Sequence, residues 1–327
     1  MEKGSGMRFL KNIKSIIRSL ADGSLALFIY PAGYFFKAIR EHISKLPLCR
    51  RAFMRVGVFP ITDHYSEPLF DSRKLVRPLD RDRDLPGIDW NTEGQLAFLS
   101  QFCFNEEIRG MINPKSGTGD SCINNDSFSS GDSEYWYNII RLKKPARIFE
   151  IGSGNSTRMA RKAIRKNQEE NPGYECKHVC IEPYEKPWLE FLGVTVIRRK
   201  VEDIGLEMFT ELQKDDILFI DSSHIIRPQG DVLFEYLQLL PSLKKGVIVH
   251  IHDIFSPKDY LKEWVTCQVK FWNEQYLLEA FLTNNRDWKI IGALNYLHHH
   301  HYERLREKCP FLTKSKEPGS FYIEKVT

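Results

Sequence analysis

The feature that most constrains this chain is a regular alternation of short apolar segments with longer amphipathic ones after residue 128. Five apolar segments predict strands, at 147–151, 178–181, 194–198, 217–220 and 247–251. The helical segments predicted between them lie at 157–167, 188–192 and 231–240. Because parallel neighbours need long crossover connections, this alternation predicts a doubly wound, mostly parallel sheet with helices on both faces.

Two more apolar segments, at 288–291 and 321–326, raise the predicted sheet to seven strands. No helix is predicted between them, so we expect a C-terminal antiparallel hairpin at one edge of the sheet. In doubly wound sheets, ligands bind outside the carboxyl ends of the strands. Candidate functional residues are therefore those that follow each strand.

Composition divides the 327 residues into three predicted parts. Residues 1–55 form a basic amphipathic arm, with eleven Lys and Arg against three Asp and Glu and hence a net charge of +8. Residues 56–127 read as an accessory helical and loop segment that wraps the core, and 128–327 as the main domain. Since the whole chain carries only +4, charge predicts no nucleic-acid partner.

Two interpretations of the basic arm stay open. Residues 8–55 suit peripheral contact with an anionic membrane surface, or a helical arm that packs on the main domain or on a second copy in a homo-oligomer. The longest apolar run, 25–36, contains Pro31 and Gly33 and is shorter than the ~20 residues of a membrane span. Seven scattered cysteines predict a reducing compartment, so we expect a cytoplasmic protein, with the inner membrane face as the alternative.

A glycine-containing turn follows the first predicted strand. The sequence Glu150-Ile-Gly152-Ser-Gly154 leads into a helix whose free N–H groups can face a ligand. A dinucleotide fingerprint would place a third glycine where this chain has Thr157. Moreover, the acid Glu150 would repel a pyrophosphate but suits a positively charged cofactor.

Acidic residues also follow the second and third predicted strands. Glu182 ends the second strand, where a carboxylate can accept hydrogen bonds from both hydroxyls of a ribose. Asp203, in the pair Glu202-Asp203, stands where an adenine amino group could be bound. Each could be an ordinary surface acid, but three acids at successive strand ends favour a nucleoside-type cofactor.

With these residues in place, the region 128–327 resembles class I S-adenosylmethionine-dependent methyltransferases, which have a Rossmann-like fold. The resemblance rests on the Glu150 motif, the acid after the second strand and the final antiparallel strands. It implies S-adenosylmethionine as the cofactor, with Gly152 and Gly154 under its methionine part and Glu150 near its amino group. It also implies Glu182 on the ribose and Asp203 near the adenine.

A second constellation follows strands four and five. Asp221 precedes His224 by three residues, and His252-Asp253 follows the fifth strand. Asp221 and Asp253 could hold one divalent cation, with His252 as a further ligand and His250 as its competitor on the same strand face. His224 is the candidate base that takes a proton from an acceptor hydroxyl. The alternatives are that His224 only caps its loop and that Asp221 binds the cofactor directly.

These two motifs, D-x-x-H and H-D, are similar to those of metal-dependent sugar O-methyltransferases. Six segments also resemble a bacterial methyltransferase group that often accompanies surface-polysaccharide synthesis: 59–65, 85–89, 128–132, 252–255, 262–265 and 272–274. His252 stands where the sugar enzymes usually place an acid. The resemblance implies O-methylation of a saccharide or glycoconjugate acceptor, assisted by Mg²⁺ or another divalent cation.

Two other functions stay open. A nicotinamide-dependent sugar oxidoreductase is disfavoured by the missing third glycine and by the lack of a Tyr-x-x-x-Lys pair after the fourth strand. A non-catalytic protein could retain the cofactor-binding fold without turnover. The acceptor is equally open at this point, since a phenol, an amine or a peptide would need the same cofactor site.

Overall fold

A computed structural model describes residues 3–111, 123, 127–184 and 186–327 of the chain, with side chains from residue 14 onward. The backbone falls into two compact units, one up to residue 76 and one from residue 77. The three-part division by composition concerns role rather than compactness, and it stays a prediction. Part of the predicted amphipathic arm, up to residue 13, lies outside the described side chains.

The first unit contains two helices, α1 (Lys3–Glu41) and α2 (Pro47–Val56). Pro31 and Gly33 do not interrupt α1, although a proline removes one backbone donor from the interior of a helix. Leu27 and Tyr34 on α1 are 76% and 74% exposed, as are several neighbouring apolar side chains. Among the described residues, no helix combines the length and the apolar character that crossing a membrane requires.

The second unit is built on one seven-stranded sheet. Its strands are β1 (Arg147–Ile151), β2 (Lys177–Ile181), β3 (Thr195–Ile197), β4 (Ile217–Ile220), β5 (Ile248–Ile251), β6 (Trp288–Ala293) and β7 (Phe321–Lys325). Their order is β3-β2-β1-β4-β5-β7-β6, with β1 to β5 parallel and β7 antiparallel to both neighbours. The predicted Rossmann-like, doubly wound sheet with antiparallel C-terminal strands is confirmed.

Helices cover both faces of this sheet. In chain order they are α3 (Thr92–Ser100), α4 (Asn105–Met111), α5 (Asp132–Lys143), α6 (Asn155–Glu170), α7 (Asp231–Phe234), α8 (Leu240–Ser242), α9 (Lys262–Thr266), α10 (Glu274–Leu282), α11 (Leu294–His300) and α12 (Tyr302–Lys308). A π-helical segment, Glu235–Leu239, joins α7 to α8. Alternate residues of β1 enter two different apolar cores, Phe149 on one face and Ile148 on the other.

The connection between β6 and β7 corrects one expectation. The strands pair antiparallel, but α11 and α12 lie between them in the sequence, so they are not a simple hairpin. The histidine run 298–301 hides this helix, because only Leu294 and Leu297 give α11 an apolar face. Such a short helix has too few turns for its period to be read.

Candidate active site

The carboxyl ends of four strands are level at one edge of the sheet. The last residue of β1 pairs with the last residues of β2 and β4, and the last residue of β4 pairs with that of β5. The residues that follow these strands therefore start side by side: Gly152, Glu182, Asp221 and His252. The structure thus brings together the two constellations predicted separately from the sequence.

Gly152 lies where the turn after β1 meets the loop after β4. Its φ is +75°, a left-handed conformation that glycine adopts without a side-chain clash. A Cβ at this position would lie 2.0 Å from the backbone carbonyl oxygen of Asp221. The Asp221 N–H donates to the carbonyl of Ile151 at 2.8 Å, which holds the two segments together. This close approach requires glycine at position 152.

Gly154 has a different environment. Its φ of −177° is ordinary extended backbone, and a Cβ there would meet no atom within 4 Å. Its N–H donates to the hydroxyl of Thr157 at 3.2 Å, at the start of α6. The described packing does not demand glycine at this position. The open space leaves the backbone and the helix N-terminus accessible to a ligand.

Glu150 lies beneath the turn and is fully buried. One carboxylate oxygen accepts hydrogen bonds from Ser156 at 2.9 Å and Thr157 at 2.8 Å, and the other pairs with His178 Nε2 at 2.5 Å. Both oxygens are thus engaged within the protein. Glu150 supports the turn from below, while its expected contact with the cofactor's amino group stays a prediction.

A cavity of about 280 Å³ opens at the same edge. Its lining includes Gly152, Glu182 and Asp221, together with Glu202. Asp203, the predicted adenine contact, is exposed and is not among the lining residues. The two adjacent acids project differently from a 3₁₀ turn at 201–203, so Glu202 is the one that faces the cavity.

Glu182 is buried but already has partners. Its carboxylate accepts hydrogen bonds from the backbone N–H groups of Ser153 at 3.3 Å and Tyr184 at 3.1 Å. Lys186 forms an ion pair with it at 2.8 Å and also donates to the carbonyl of Ser153 at 2.5 Å. Sequence analysis missed Lys186, and no signal for it was available, because a spacing of four residues brings side chains together on a helix and the described residues of this segment are not helical.

The second constellation forms a compact cluster beside the cavity. His224 Nε2 lies 3.3 Å from Asp221 and 3.5 Å from Asp253, and His252 Nδ1 lies 3.6 Å and 3.5 Å from the same two carboxylates. His224 and Asp253 both have a φ of +59°. Left-handed backbone is costly for residues with side chains and tends to occur at functional sites.

Glu274, at the start of α10, orients His224. Its carboxylate lies 2.7 Å from His224 Nδ1 and accepts a second hydrogen bond from the Tyr236 hydroxyl at 3.0 Å. Burial alone would lower the pKa of His224, but the carboxylates of Asp221 and Glu274 outweigh it and raise the pKa to about 10. Without a further cation in the cluster, His224 is therefore an imidazolium at neutral pH.

His250 and His252 have different surroundings, although their spacing of two residues places them on the same face of the strand. His250 is wholly buried, stacks on Tyr322 at 4.2 Å, and has a pKa far below its usual value because of burial. His252 lies past the strand end, with Asp132 at 3.9 Å from its Nε2. Neither nitrogen of His252 has a hydrogen-bond partner among the described residues. A buried imidazole with acids at these distances fits a metal ligand.

Ligand atoms of Asp221, His252 and Asp253 all lie within 4.8 Å of one another. Two carboxylates and an imidazole form a donor set that could hold a divalent cation. Sequence analysis missed Glu274 and Asp132 as parts of this site, although both stand in segments that it singled out. Their distance in sequence from the strand ends gave no chemical signal.

Comparison with known proteins finds a family match for one region of the chain and does not identify an acceptor. Residues 149–254 match the family profile of a methyltransferase domain, from β1 to just past β5. This stretch contains all the predicted cofactor and metal residues. Among curated proteins, none matches the chain.

Several solved methyltransferase structures are distantly similar. The plantazolicin methyltransferase BpumL in complex with S-adenosylhomocysteine is 13% identical, has a TM-score of 0.38, and is matched over 72% of this chain and 96% of that one. The TDP-rhamnose 3'-O-methyltransferase CalS11 from calicheamicin biosynthesis is 13% identical, with a TM-score of 0.35 and coverage of 78% and 98%. A 16S rRNA methyltransferase from Catenulisporales acidiphilia is 11% identical, with a TM-score of 0.28 and coverage of 60% and 92%.

Proposed function

We propose that this chain is an S-adenosylmethionine-dependent methyltransferase that modifies a hydroxyl of a saccharide or glycoconjugate. The observation that carries the proposal is the carboxylate of Glu182, which faces a cavity beside the open turn at Gly154, inside the segment that matches a methyltransferase domain. A buried acid at this place suits ribose hydroxyls. The acid that would repel a pyrophosphate is Glu150, which is buried below the turn.

The cofactor residues follow from this assignment. Gly152 and Gly154 would lie under the methionine part, and Glu182 would accept hydrogen bonds from the ribose. Glu202, which lines the cavity, would lie near the adenine in place of its neighbour Asp203. Glu150 would act on the amino end through the turn that it supports. The loop after β4 places Asp221 at the boundary between the cofactor cavity and the histidine cluster, where the transferred methyl group would be exposed.

Asp221, Asp253 and His252 would hold Mg²⁺ or another divalent cation. The support is the pair of unpartnered nitrogens on buried His252 within the described chain, and the two carboxylates that approach it. Bound there, a cation would stabilise the alkoxide form of an acceptor hydroxyl. S-adenosylmethionine bound in the cavity would supply the methyl group for in-line displacement by this oxygen, with S-adenosylhomocysteine as the leaving group, and the hydroxyl proton would pass to a base.

His224 is the residue proposed to take that proton. Its Nδ1 is fixed on Glu274, so Nε2 is the nitrogen that faces the reaction centre. Positive charge that neutralises Asp221 and Asp253 would lower the pKa of His224 and free Nε2 to accept a proton. The proposed cation and the proposed base are therefore linked by electrostatics.

We also propose that residues 8–55 bring the enzyme to an anionic membrane surface at the inner membrane face, where a lipid-linked acceptor would be found. Support comes from the exposed apolar side chains of α1, including Phe28 and Tyr30, and from the basic residues before and after this apolar stretch, up to Arg18 and from Lys37 onward. Deleting residues 1–40 should abolish sedimentation with vesicles that contain an anionic lipid. Unchanged sedimentation would contradict this part, and a homo-oligomer built through the arm would then be the alternative.

The cofactor class is tested by calorimetric titration of the purified protein with S-adenosylhomocysteine and, separately, NADH, each with and without Mg²⁺. We expect micromolar binding of S-adenosylhomocysteine that Glu182→Ala weakens. Binding of NADH alone would instead support the oxidoreductase. Binding of neither would support a non-catalytic protein, and retention of full methyl transfer by Asp221→Ala and His224→Ala variants would refute the proposed centre.

A further inference from the structure

Two tryptophans and a lysine pack together beside the histidine cluster and have no role in the proposed chemistry. They are Trp264, Lys270 and Trp272, which we call the indole cluster. The two indole rings lie 5.0 Å apart at 74° to each other. The ammonium of Lys270 lies over both, 3.9 Å from the centre of the Trp264 ring and 3.7 Å from that of Trp272.

The indole cluster is in direct contact with the proposed reaction centre. The Trp272 ring lies 4.3 Å from the His224 imidazole. The next two residues are fixed to the same loop, because the backbone N–H groups of Asn273 and Glu274 both donate to the carbonyl of His224, at 2.9 and 3.2 Å. A molecule that contacts Trp272 would therefore be held next to the proposed base.

Lys270 is held in place by its backbone. Its N–H donates to the carbonyl of Trp264 at 2.9 Å. The preceding residue, Val269, is 47% exposed and has a φ of +51°, which is rare for a branched side chain. Burial lowers the pKa of Lys270, and the negative charge of Asp253 opposes that shift. The chain thus adopts a strained turn that directs a lysine toward the indoles.

The Lys270 ammonium forms no ion pair with any residue that the structure describes; its side-chain contacts are the two ring faces. An ammonium over two ring faces directs N–H groups at both rings and still has a further N–H group for another acceptor. The negative charges of Asp221 and Asp253 are assigned to the proposed divalent cation and the two histidines beside them. Lys270 is a nearby cation that remains available to receive the charge of an anionic acceptor.

We propose that the indole cluster is the acceptor subsite, in which the indoles pack against a sugar ring while Lys270 binds a phosphate or carboxylate of the same acceptor. The inference rests on the proposed function, and it narrows the acceptor from any saccharide to an anionic one. Lys270 and the two tryptophans are positioned to bind and orient the acceptor rather than to transfer a proton.

The test uses the full chain labelled with 5-fluorotryptophan, which gives six resonances. The resonances of Trp264 and Trp272 are assigned through Trp264→Phe and Trp272→Phe. The probes are glucose 1-phosphate, glucuronate and the neutral methyl glucoside. We expect an anionic sugar to shift the resonances of Trp264 and Trp272 and to bind at least about tenfold more tightly than methyl glucoside, as one charge-assisted hydrogen bond would provide. The anion that binds more tightly identifies the group as phosphate or carboxylate.

Lys270→Met should weaken anion binding about tenfold and leave methyl glucoside unaffected, whereas Lys270→Arg should retain most of the anion affinity. Lys314→Met is the matched control, because the ammonium of Lys314 lies 5.3 Å from the centre of the Tyr302 ring, outside the indole cluster. Equal affinity for neutral and anionic sugars, or anion binding within twofold of normal in Lys270→Met, would overturn the proposal. The comparison of anionic with neutral sugars uses the unchanged protein, so it tests the proposal even if Lys270→Met does not fold. A failed S-adenosylhomocysteine titration would refute the proposed function separately.

Discussion

Replacing Gly152 with alanine should unfold the protein at a distinctly lower temperature. The new Cβ would lie 2.0 Å from the Asp221 carbonyl oxygen, so that backbone must move away from β1. A left-handed alanine costs roughly 1–2 kcal/mol, and disturbing the hydrogen bond from Asp221 to Ile151 costs about 1 kcal/mol more. The expected loss of about 2–3 kcal/mol in the free energy of unfolding corresponds to a Tm roughly 4–12 °C lower in a domain of this size.

Gly154→Ala is the matched control, since its Cβ would enter open space from an extended backbone. We expect a Tm within about 2 °C of normal, because the substitution adds no clash. Affinity for S-adenosylhomocysteine should nevertheless fall about tenfold, because the methyl group occupies space that the cofactor needs. Calorimetric melting and titration of both variants test the pair. A normal Tm for Gly152→Ala would refute the packing argument, and normal affinity for Gly154→Ala would remove Gly154 from the cofactor site.

Three further outcomes are expected. Glu182→Gln should weaken S-adenosylhomocysteine about tenfold in a titration through loss of charge-assisted bonds to the ribose, and unchanged affinity would place the ribose elsewhere. Asp253→Asn should abolish Mn²⁺ binding measured by electron paramagnetic resonance, whereas Glu317→Gln in a separate acid–histidine group should not; loss in both variants would contradict the site. In metal-stripped protein, the protonated His224 side chain should stabilise the fold. Because its pKa is raised from 6.5 to about 10, this stabilisation should be complete below pH 6.5 and be lost as the pH rises through 10. His224→Gln should flatten that dependence of Tm on pH, and parallel curves would contradict it.

The sheet could be predicted from the sequence because its strands are short apolar runs buried on both faces. The predicted β1 and β4 have the same bounds as the observed strands, Arg147–Ile151 and Ile217–Ile220. Helices outside the βα repeats were less predictable. The polar His298–His301 run conceals α11, and Pro31 suggests an interruption of α1 that the helix does not have.

The edge of the sheet that carries the site could also be predicted, because the residues after parallel strands meet there. Which side chain at each strand end faces the cavity could not be predicted. Spacing does not distinguish Glu202 from Asp203, since direction within a 3₁₀ turn depends on how it packs. Nor does it separate His250, covered by Tyr322 of the antiparallel strand β7, from His252 beyond the strand end. The contact of Glu274 with His224 spans fifty residues, and only the tertiary fold brings them together.

The ion pair between Lys186 and Glu182 has a consequence for turnover. The lysine occupies the carboxylate that the ribose is proposed to use, so the cofactor must exchange with a competitor that belongs to the chain itself. Its net affinity is then a difference between two sets of contacts, which makes it weaker than the contacts in the complex suggest. The same exchange assists departure of the spent cofactor, because a waiting ammonium replaces it and no buried negative charge is left bare. An enzyme built in this way gives up some tightness of binding in return for faster release of its product.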